Sequence, residues 1–478
     1  MKLCIVGTGA AGWMACAAMA TKKEFFDEIV VIGSPHIPSI GVGESNTLKL
    51  VEFHKNFGVD ADTFIRESDA AVKYGVYYQN WSKNNFIHNF KNNTAALATS
   101  LPGLMFLRLL ANKPKDVSIN DFVSCNLNKV IKENSVFKTD KFYPKSWHFD
   151  AGKYIEFISK HCKKFKHVSV ISETVTKVEK TNSKIEKLIT DKNTIIEADY
   201  YIIATGYNDI LNEEYVDLSD VLLTDKAFVY PLEYTNKREQ FHPYTVAKTM
   251  KNGWRWITPT YSRIGTGYTF SSRYVSIDEA RQEFINDVGA DIEPKLVNFY
   301  PKYNKETFKE NYCTLGLSNG FLEPLDAPGL SLTIDTIYHL STILQQQKDI
   351  PDYTIVSTLR EVVNKMLESE YKFWTSFILT QYKTCWRNDT KFWVDHKNVE
   401  YSHQKYIMTL LGDISIINKN YGMFMHTIAA KDCSWDSELK APPFKQPEYM
   451  TPTIHHLDYV DAIRKNKLSR SGSIHTMV

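Results

Sequence analysis

Cys4-Ile5-Val6-Gly7-Thr8-Gly9-Ala10-Ala11-Gly12-Trp13 decides the fold of this chain. A short apolar strand, Leu3 to Val6, runs into three glycines spaced G-x-G-x-x-G, and the Ala-rich stretch from Ala11 to Met19 predicts a helix. Gly7 permits the tight turn, Gly9 lets backbone approach a pyrophosphate, and Gly12 lets the helix pack on the strand. Phosphates then meet the helix N-terminus, where free N–H groups and the dipole favour negative charge. Gly7, Gly9, Ala10, Ala11 and Gly12 are therefore the first cofactor-binding candidates, for a dinucleotide. The motif alone is common; strand, glycines and helix in this order make it specific. Glu28 to Ile32 reads as the second strand of a β-α-β unit. That reading displaces a secretory leader, because Lys2 is the only basic residue ahead of an apolar stretch interrupted by three glycines.

Composition bounds the rest. With 478 residues, 43% of them hydrophobic, the chain can bury a large core in two or three lobes. Its 57 basic and 55 acidic residues nearly cancel, so no broad field invites nucleic acid or anionic lipid. No run approaches ~18 uninterrupted apolar residues, so no membrane span is expected and the location expected is cytoplasmic. The seven cysteines are odd in number and form no C-x-x-C, which argues for reduced thiols and against a disulfide frame or a metal site. Aromatic residues reach 13%, which fills a core and also suits a site that stacks rings.

Two further segments refine the cofactor. The second strand ends at Gly33, where dinucleotide folds usually carry the acidic partner of the adenosine ribose; Ser34 offers a weaker contact. Weak, exchangeable binding follows. Asp199-Tyr200-Tyr201-Ile202-Ile203-Ala204-Thr205-Gly206 reads as a strand returning beside the first, after a hairpin-like region at Val168 to Val178 and Ile185 to Ile189. Small residues at Thr205 and Gly206 let backbone run under a flavin, which favours FAD over NAD. No second G-x-G-x-x-G opens a helix.

From this point the chain resembles a known family, the flavin-dependent tryptophan halogenases. Gly253-Trp254-Arg255-Trp256-Ile257-Thr258-Pro259 is similar to that family's W-x-W-x-I-P signature, with Thr258 in place of the usual Ile. Further likenesses are Gly41-Val42-Gly43-Glu44-Ser45, Lys73 through Trp81, His148-Phe149-Asp150-Ala151-Gly152, Arg263 through Tyr274, and Gly320-Phe321-Leu322-Glu323-Pro324-Leu325. The resemblance is collinear from residue 1 to about residue 345, with a looser echo at 386–393. The Lys- and Asn-rich character is similar to the family's divergent viral and marine members.

The resemblance implies FAD, used as FADH2 from a separate flavin reductase, with a halide ion as co-substrate and a small aromatic acceptor. It implies that Gly41, Val42, Gly43, Glu44 and Leu325 join the cofactor contacts. It makes Lys73 the lysine that handles hypohalous acid, by a hydrogen bond or as a haloamine. From its own strand, Lys73 would be expected to face solvent. Val72, Tyr74, Val76 and Tyr78 would share one face of a single strand, with Lys73, Gly75 and Tyr77 on the other. The family's catalytic glutamate falls on Asp326, one methylene shorter, and the following serine on Ala327; the same residues, with Pro324, Pro328 and Gly329, also make a good plain turn. Halide would be held by backbone N–H groups at Pro328 and Gly329, and proline has none. A preference for bromide or iodide follows. Trp254 and Trp256 are implied to screen the flavin-side chamber, and His88-Asn89-Phe90 resembles the H-P-F segment whose His88 and Phe90 counterparts flank the substrate.

The expectation is an α/β flavoprotein of the G-x-G-x-x-G FAD-binding, two-domain type. Its FAD module would take about 1–85, 140–225 and 310–345, interleaved with a substrate-side sheet at about 86–139 and 226–309. A mainly helical cap would follow at 346–478, with amphipathic helices over Ser331 to Gln347 and Tyr353 to Tyr382. A homo-oligomer is expected. Two other readings share the fingerprint: a flavin monooxygenase that hydroxylates, which should lack the lysine and the Trp pair, and a flavin-binding protein without catalysis.

Overall fold

A computed structural model of the chain describes residues 1–36, 44–45, 49–82, 85–89, 133–137, 146–404 and 453–465. The chain divides into two compact units, each assembled from three segments. The first takes Met1–Asp69, Phe149–Asp220 and Phe299–Trp374; the second takes Ala70–His148, Val221–Asn298 and Thr375–Val478. Among the described residues, 70–82, expected in the FAD module, group with the second unit, while 346–374 group with the first unit and 375–404 with the second.

The first unit is built on a five-stranded parallel sheet in the order Tyr312–Thr314, Tyr200–Ile203, Lys2–Val6, Glu28–Gly33, Val168–Ser172. Its central strands read as unbroken apolar runs because both faces are covered. Cys4, Val6, Ile32, Ile203 and Tyr312 pack with Ile185 and Leu188 of a neighbouring hairpin. The helix Ala10–Ala20 is buried from Gly12 to Ala20, so small apolar residues surround its axis with no polar stripe. Val168 to Val178 is not one strand of a hairpin: Val168–Ser172 closes the parallel sheet, and Val175–Thr181 pairs antiparallel with Lys184–Thr190. A single alternating stretch serves two sheets, and the turn at Glu173 and Thr174 divides it. The helices Pro328–Asp349 and Tyr353–Thr384 contain both stretches that apolar spacing had marked.

The second unit centres on a seven-stranded sheet in the order Lys295–Asn298, Lys226–Leu232, Ile264–Phe270, Gly253–Pro259, Thr245–Met250, Gly75–Gln79, Phe86–Asn89. All its pairings are antiparallel except that of Thr245–Met250 with Gly75–Gln79. The helix Ile277–Val288 starts at a Ser276/Glu279 capping box and stops at Gly289 in the left-handed region. Its Ala280 and Phe284 cover Phe228, Tyr268 and Phe270 of the sheet. No described helix is long and apolar enough to cross a membrane.

Candidate active site

The cradle of the first unit begins where the first strand turns. Gly7 sits at φ 125°, and a Cβ there would stand 2.1 Å from the Ala204 carbonyl oxygen. A Cβ on Gly12 would stand 2.0 Å from the Gly7 carbonyl oxygen. Both positions are glycine because protein backbone fills the space. Gly9 differs: nothing lies within 4 Å of its Cβ position, and it opens the helix with extended backbone and no side-chain cap. The N–H groups of the first turn, at Ala10 and Ala11, are thus left without a side-chain acceptor. This fits a bound diphosphate, which needs close backbone approach and supplies the acceptors itself.

Two loops converge on that helix end. Gly206, at φ 70°, has nothing within 4 Å of its Cβ position. Ser318 Oγ donates to the Gly206 carbonyl at 3.1 Å and lies 3.2 Å from Thr205 Oγ1, while the Tyr215 hydroxyl donates to the Ser318 carbonyl. A Cβ on Gly316 would stand 2.7 Å from the Ala11 Cβ. Sequence reasoning missed Gly316 and Ser318; the signal available was a strand, Tyr312–Thr314, running into a glycine turn beside the strand that ends at Thr205-Gly206. It also missed Thr8, whose side chain would be 2.3 Å from a Cβ on Gly33. Gly33 is therefore a packing requirement. The Ser34 hydroxyl lies 2.8 Å from Thr174 Oγ1 and accepts from the His36 N–H. Gly41, Val42 and Gly43 lie outside the described residues, as does the side chain of Glu44.

The segment Glu323-Pro324-Leu325-Asp326-Ala327-Pro328-Gly329 belongs to the same unit. Leu325 is fully buried, Glu323 and Asp326 are buried carboxylates, and the Ala327 N–H closes a turn onto the Pro324 carbonyl. Asp326 (φ 59°) and Ala327 (φ 54°) are consecutive left-handed residues without being glycine. Each costs roughly 1–3 kcal/mol, a strain that concentrates at functional sites. Pro328 is then the first residue of its helix, where a missing N–H is least harmful. With no side-chain cap, the donors left at this end are the N–H groups of Gly329 and Leu330. A Cβ on Gly329 would meet nothing within 4 Å.

In the second unit, Lys73 does not face solvent. The single alternating strand expected over Val72 to Tyr78 breaks at Tyr74, whose N–H donates to the Pro243 carbonyl. Ala71–Lys73 pairs with Ser146–Phe149, and Gly75–Gln79 joins the large sheet instead. All three residues of the short strand are buried, Lys73 being 1% exposed. Opposite Ala71 stands His148, fully buried, with Nδ1 donating to the Pro259 carbonyl and Nε2 accepting from the Thr245 hydroxyl. Burial, then the charge of Lys73 and the nearby His242 and His456, hold its pKa well below the usual imidazole range.

Trp254 and Trp256 are buried on one face of their strand with ring centroids 6.0 Å apart. Arg255, between them, points to the other face, where its guanidinium donates to Asp287 at 2.8 Å and to Thr266 at 3.0 Å. Lys248 joins Asp287 at 2.6 Å, so the arginine of this W-R-W run ties the helix Ile277–Val288 to the sheet. His88 lies opposite Val76 on the edge strand; its side chain and Phe90 lie outside the described residues. No cluster of His, Cys, Asp or Glu among the described residues is arranged to hold a metal ion.

A glycine-cradled dinucleotide fold interleaved with a large sheet bearing a buried lysine and a Trp pair defines a two-domain flavoprotein oxidoreductase. Residues 2–428 match the family model described as tryptophan halogenase, and the chain belongs to that family of flavin-dependent enzymes, whose cofactor is FAD and whose co-substrate is halide. The tryptophan 7-halogenase RebH of Lentzea aerocolonigenes is 28% identical over 427 residues, covering 83% of this chain and 79% of that protein. The tryptophan 6-halogenase ThaL of Streptomyces albogriseolus is 26% identical, covering 83% and 78%. Among solved structures, the tryptophan halogenase from Shewanella frigidimarina superposes with a TM-score of 0.84 at 22% identity, covering 98% of both chains, a likeness of fold.

Proposed function

We propose that this enzyme makes hypohalous acid and directs it, through Lys73, onto an electron-rich aromatic ring, with indoles such as tryptophan the first acceptors to try. The observation that carries the reading is the burial of Lys73, 1% exposed in a three-residue strand that is buried throughout, where a lysine is rarely found. Gly7, Gly9, Gly12, Thr205 and Gly206 would hold FAD, delivered reduced by a separate flavin reductase. The bound, reduced cofactor with O2 supplies the oxidising equivalents that convert halide to hypohalous acid.

The chain's own residues then act in turn. Gly329, with Leu330 behind it, holds the halide through backbone N–H groups. Lys73 Nζ donates a hydrogen bond to the hypohalous oxygen, or carries the halogen as a haloamine, and keeps the oxidant from water. The Asp326 carboxylate faces the cationic ring formed on halogen attack, stabilises it and accepts the displaced proton. The aromatic C–H becomes C–X and the hypohalous oxygen leaves as water. Trp254 and Trp256, in the signature shared with the family, would exclude bulky substrates and so disfavour direct hydroxylation.

Incubation with FAD, a flavin reductase, NADH, oxygen and each halide in the presence of electron-rich arenes tests the reading by product mass. Products carrying halogen are expected; products gaining only oxygen point to a monooxygenase. The departures at Asp326, Ala327 and Pro328 favour a second reading, a flavin protein without catalysis, for which peroxide would be the sole product.

A further inference from the structure

The helix His456–Arg464 docks on the second unit through polar contacts to Arg238 and Tyr261 and touches the strand of Lys73 through its first residue. Arg238 forms a two-pronged pair with Asp458 at 3.1 Å per contact. The Tyr261 hydroxyl donates to Asp461 at 2.7 Å, and the Arg464 guanidinium lies 4.1 Å from the centre of the Tyr261 ring. Just before the helix, Thr453–His455 pairs with Ser135–Phe137. The helix therefore has a ledge to rest on, and its first residue is what that ledge delivers.

His456 is fully buried and stacks on Phe241, with ring centroids 4.2 Å apart and planes 11° from parallel. Its Nδ1 lies 2.9 Å from the Phe241 carbonyl, and its Nε2 lies 2.9 Å from the backbone nitrogen of Val72. A carbonyl can only accept and an N–H can only donate, so Nδ1 carries the proton and Nε2 offers its lone pair. One tautomer of the neutral ring satisfies both. The Val72 N–H directly precedes Lys73, on a strand only three residues long.

We propose that His456 is a positioning residue for Lys73: the C-terminal helix holds the backbone of the lysine strand through one imidazole and so sets where the ammonium stands. The proposal rests on the role given to Lys73 above. Near-attack geometry is steep enough that a 1 Å displacement costs on the order of 100-fold. An unanchored Val72–Lys73 peptide therefore lets oxidant escape to water without disturbing the flavin cradle.

His456→Phe keeps the stack on Phe241 and removes both hydrogen bonds; His456→Gln puts an amide oxygen within reach of the Val72 N–H. Three readouts separate the outcomes: halogenated product per flavin oxidised, peroxide release, and amide hydrogen exchange of the peptide spanning residues 71–74. For His456→Phe, product per flavin falls about tenfold or more, peroxide rises to match, and exchange at 71–74 accelerates while FAD affinity holds. His456→Gln recovers most of both signals. Arg238→Ala, which loosens the helix from a distance, gives the same pattern more weakly. Unchanged exchange in His456→Phe overturns the proposal, as does faster exchange with undiminished product when Lys73→Met is inactive. If Lys73→Met itself retains product, the role of Lys73 fails instead, and exchange alone decides whether His456 holds the strand.

Discussion

The indole of Trp256 lies directly over Gly267 of the next strand, so close that a Cβ on Gly267 would stand 2.3 Å from the ring. The glycine is the floor on which the second tryptophan of the W-R-W run rests. Gly267→Ala should push Trp256 out of its place and destabilise the second unit by about 1–3 kcal/mol through overpacking. Halogenation should fall more than FAD binding does. Denaturant midpoints together with product yields check this; an alanine variant with native stability and yield would show that the contact is easily relieved.

Flavin affinity should depend on a pair that sequence alone does not reveal. Because the Thr8 side chain occupies the space beside Gly33, Gly33→Glu should fail to tighten FAD and should lower stability. Combining it with Thr8→Gly should make room and strengthen binding at least about tenfold, the return of a charged hydrogen bond worth ~1.5–3 kcal/mol. Titration by flavin fluorescence reads both variants. Stoichiometric FAD retained by the unmodified protein after dialysis would contradict the premise of weak binding.

Halide selectivity should turn on Pro328. It leaves Gly329 and Leu330 as donors, and chloride surrenders the most hydration of the three heavier halides, so bromide or iodide should dominate in equimolar competition. Pro328→Thr restores an N–H and should shift product toward chloride. Predominantly chlorinated product from the unmodified enzyme would refute this.

Acid should weaken the fold earlier than carboxylate titration explains. Burial pushes His54 down to about 3, His396 to about 3 and His242 to about 4, and keeps His148 well below the ordinary value near 6.5. Each folded-state pKa is depressed, so the unfolded chain binds more protons. The stabilisation is complete above pH 6.5 and is lost as pH falls from there toward those depressed values. Asp287, which Lys248 and Arg255 hold below its ordinary 3.8 against the opposing effect of burial, contributes only at lower pH. Urea midpoints should therefore already drop between pH 6.5 and 5; a flat profile there would contradict neutral burial of these rings.

What was legible in the sequence is what is local. Gly7, Gly9 and Gly12 sit in one turn, so their meaning needs no partner, and the spacing of apolar residues after Ser331 reports a helix regardless of what covers it. The break at Tyr74 was hidden because the strands on either side find partners far along the chain, at Ser146–Phe149 and Thr245–Met250. In sequence Gly33 reads as a missing ligand for the ribose, because the Thr8 side chain packed against it is a contact only the fold creates. Arg255 lay inside a recognised signature, yet its partner Asp287 ends a helix 32 residues away. His456 stands 384 residues from the N–H it accepts, beyond the reach of any periodicity.

Whether Lys73 delivers the oxidant to the arene is decided by the partition between halogenated product and peroxide in the unmodified enzyme and in Lys73→Ala. Lys73→Ala should bind FAD normally, consume oxygen and release hydrogen peroxide at close to the unmodified rate, and yield no halogenated arene. Retention of most product by Lys73→Ala would show that freely diffusing hypohalous acid does the work and that the buried lysine is incidental.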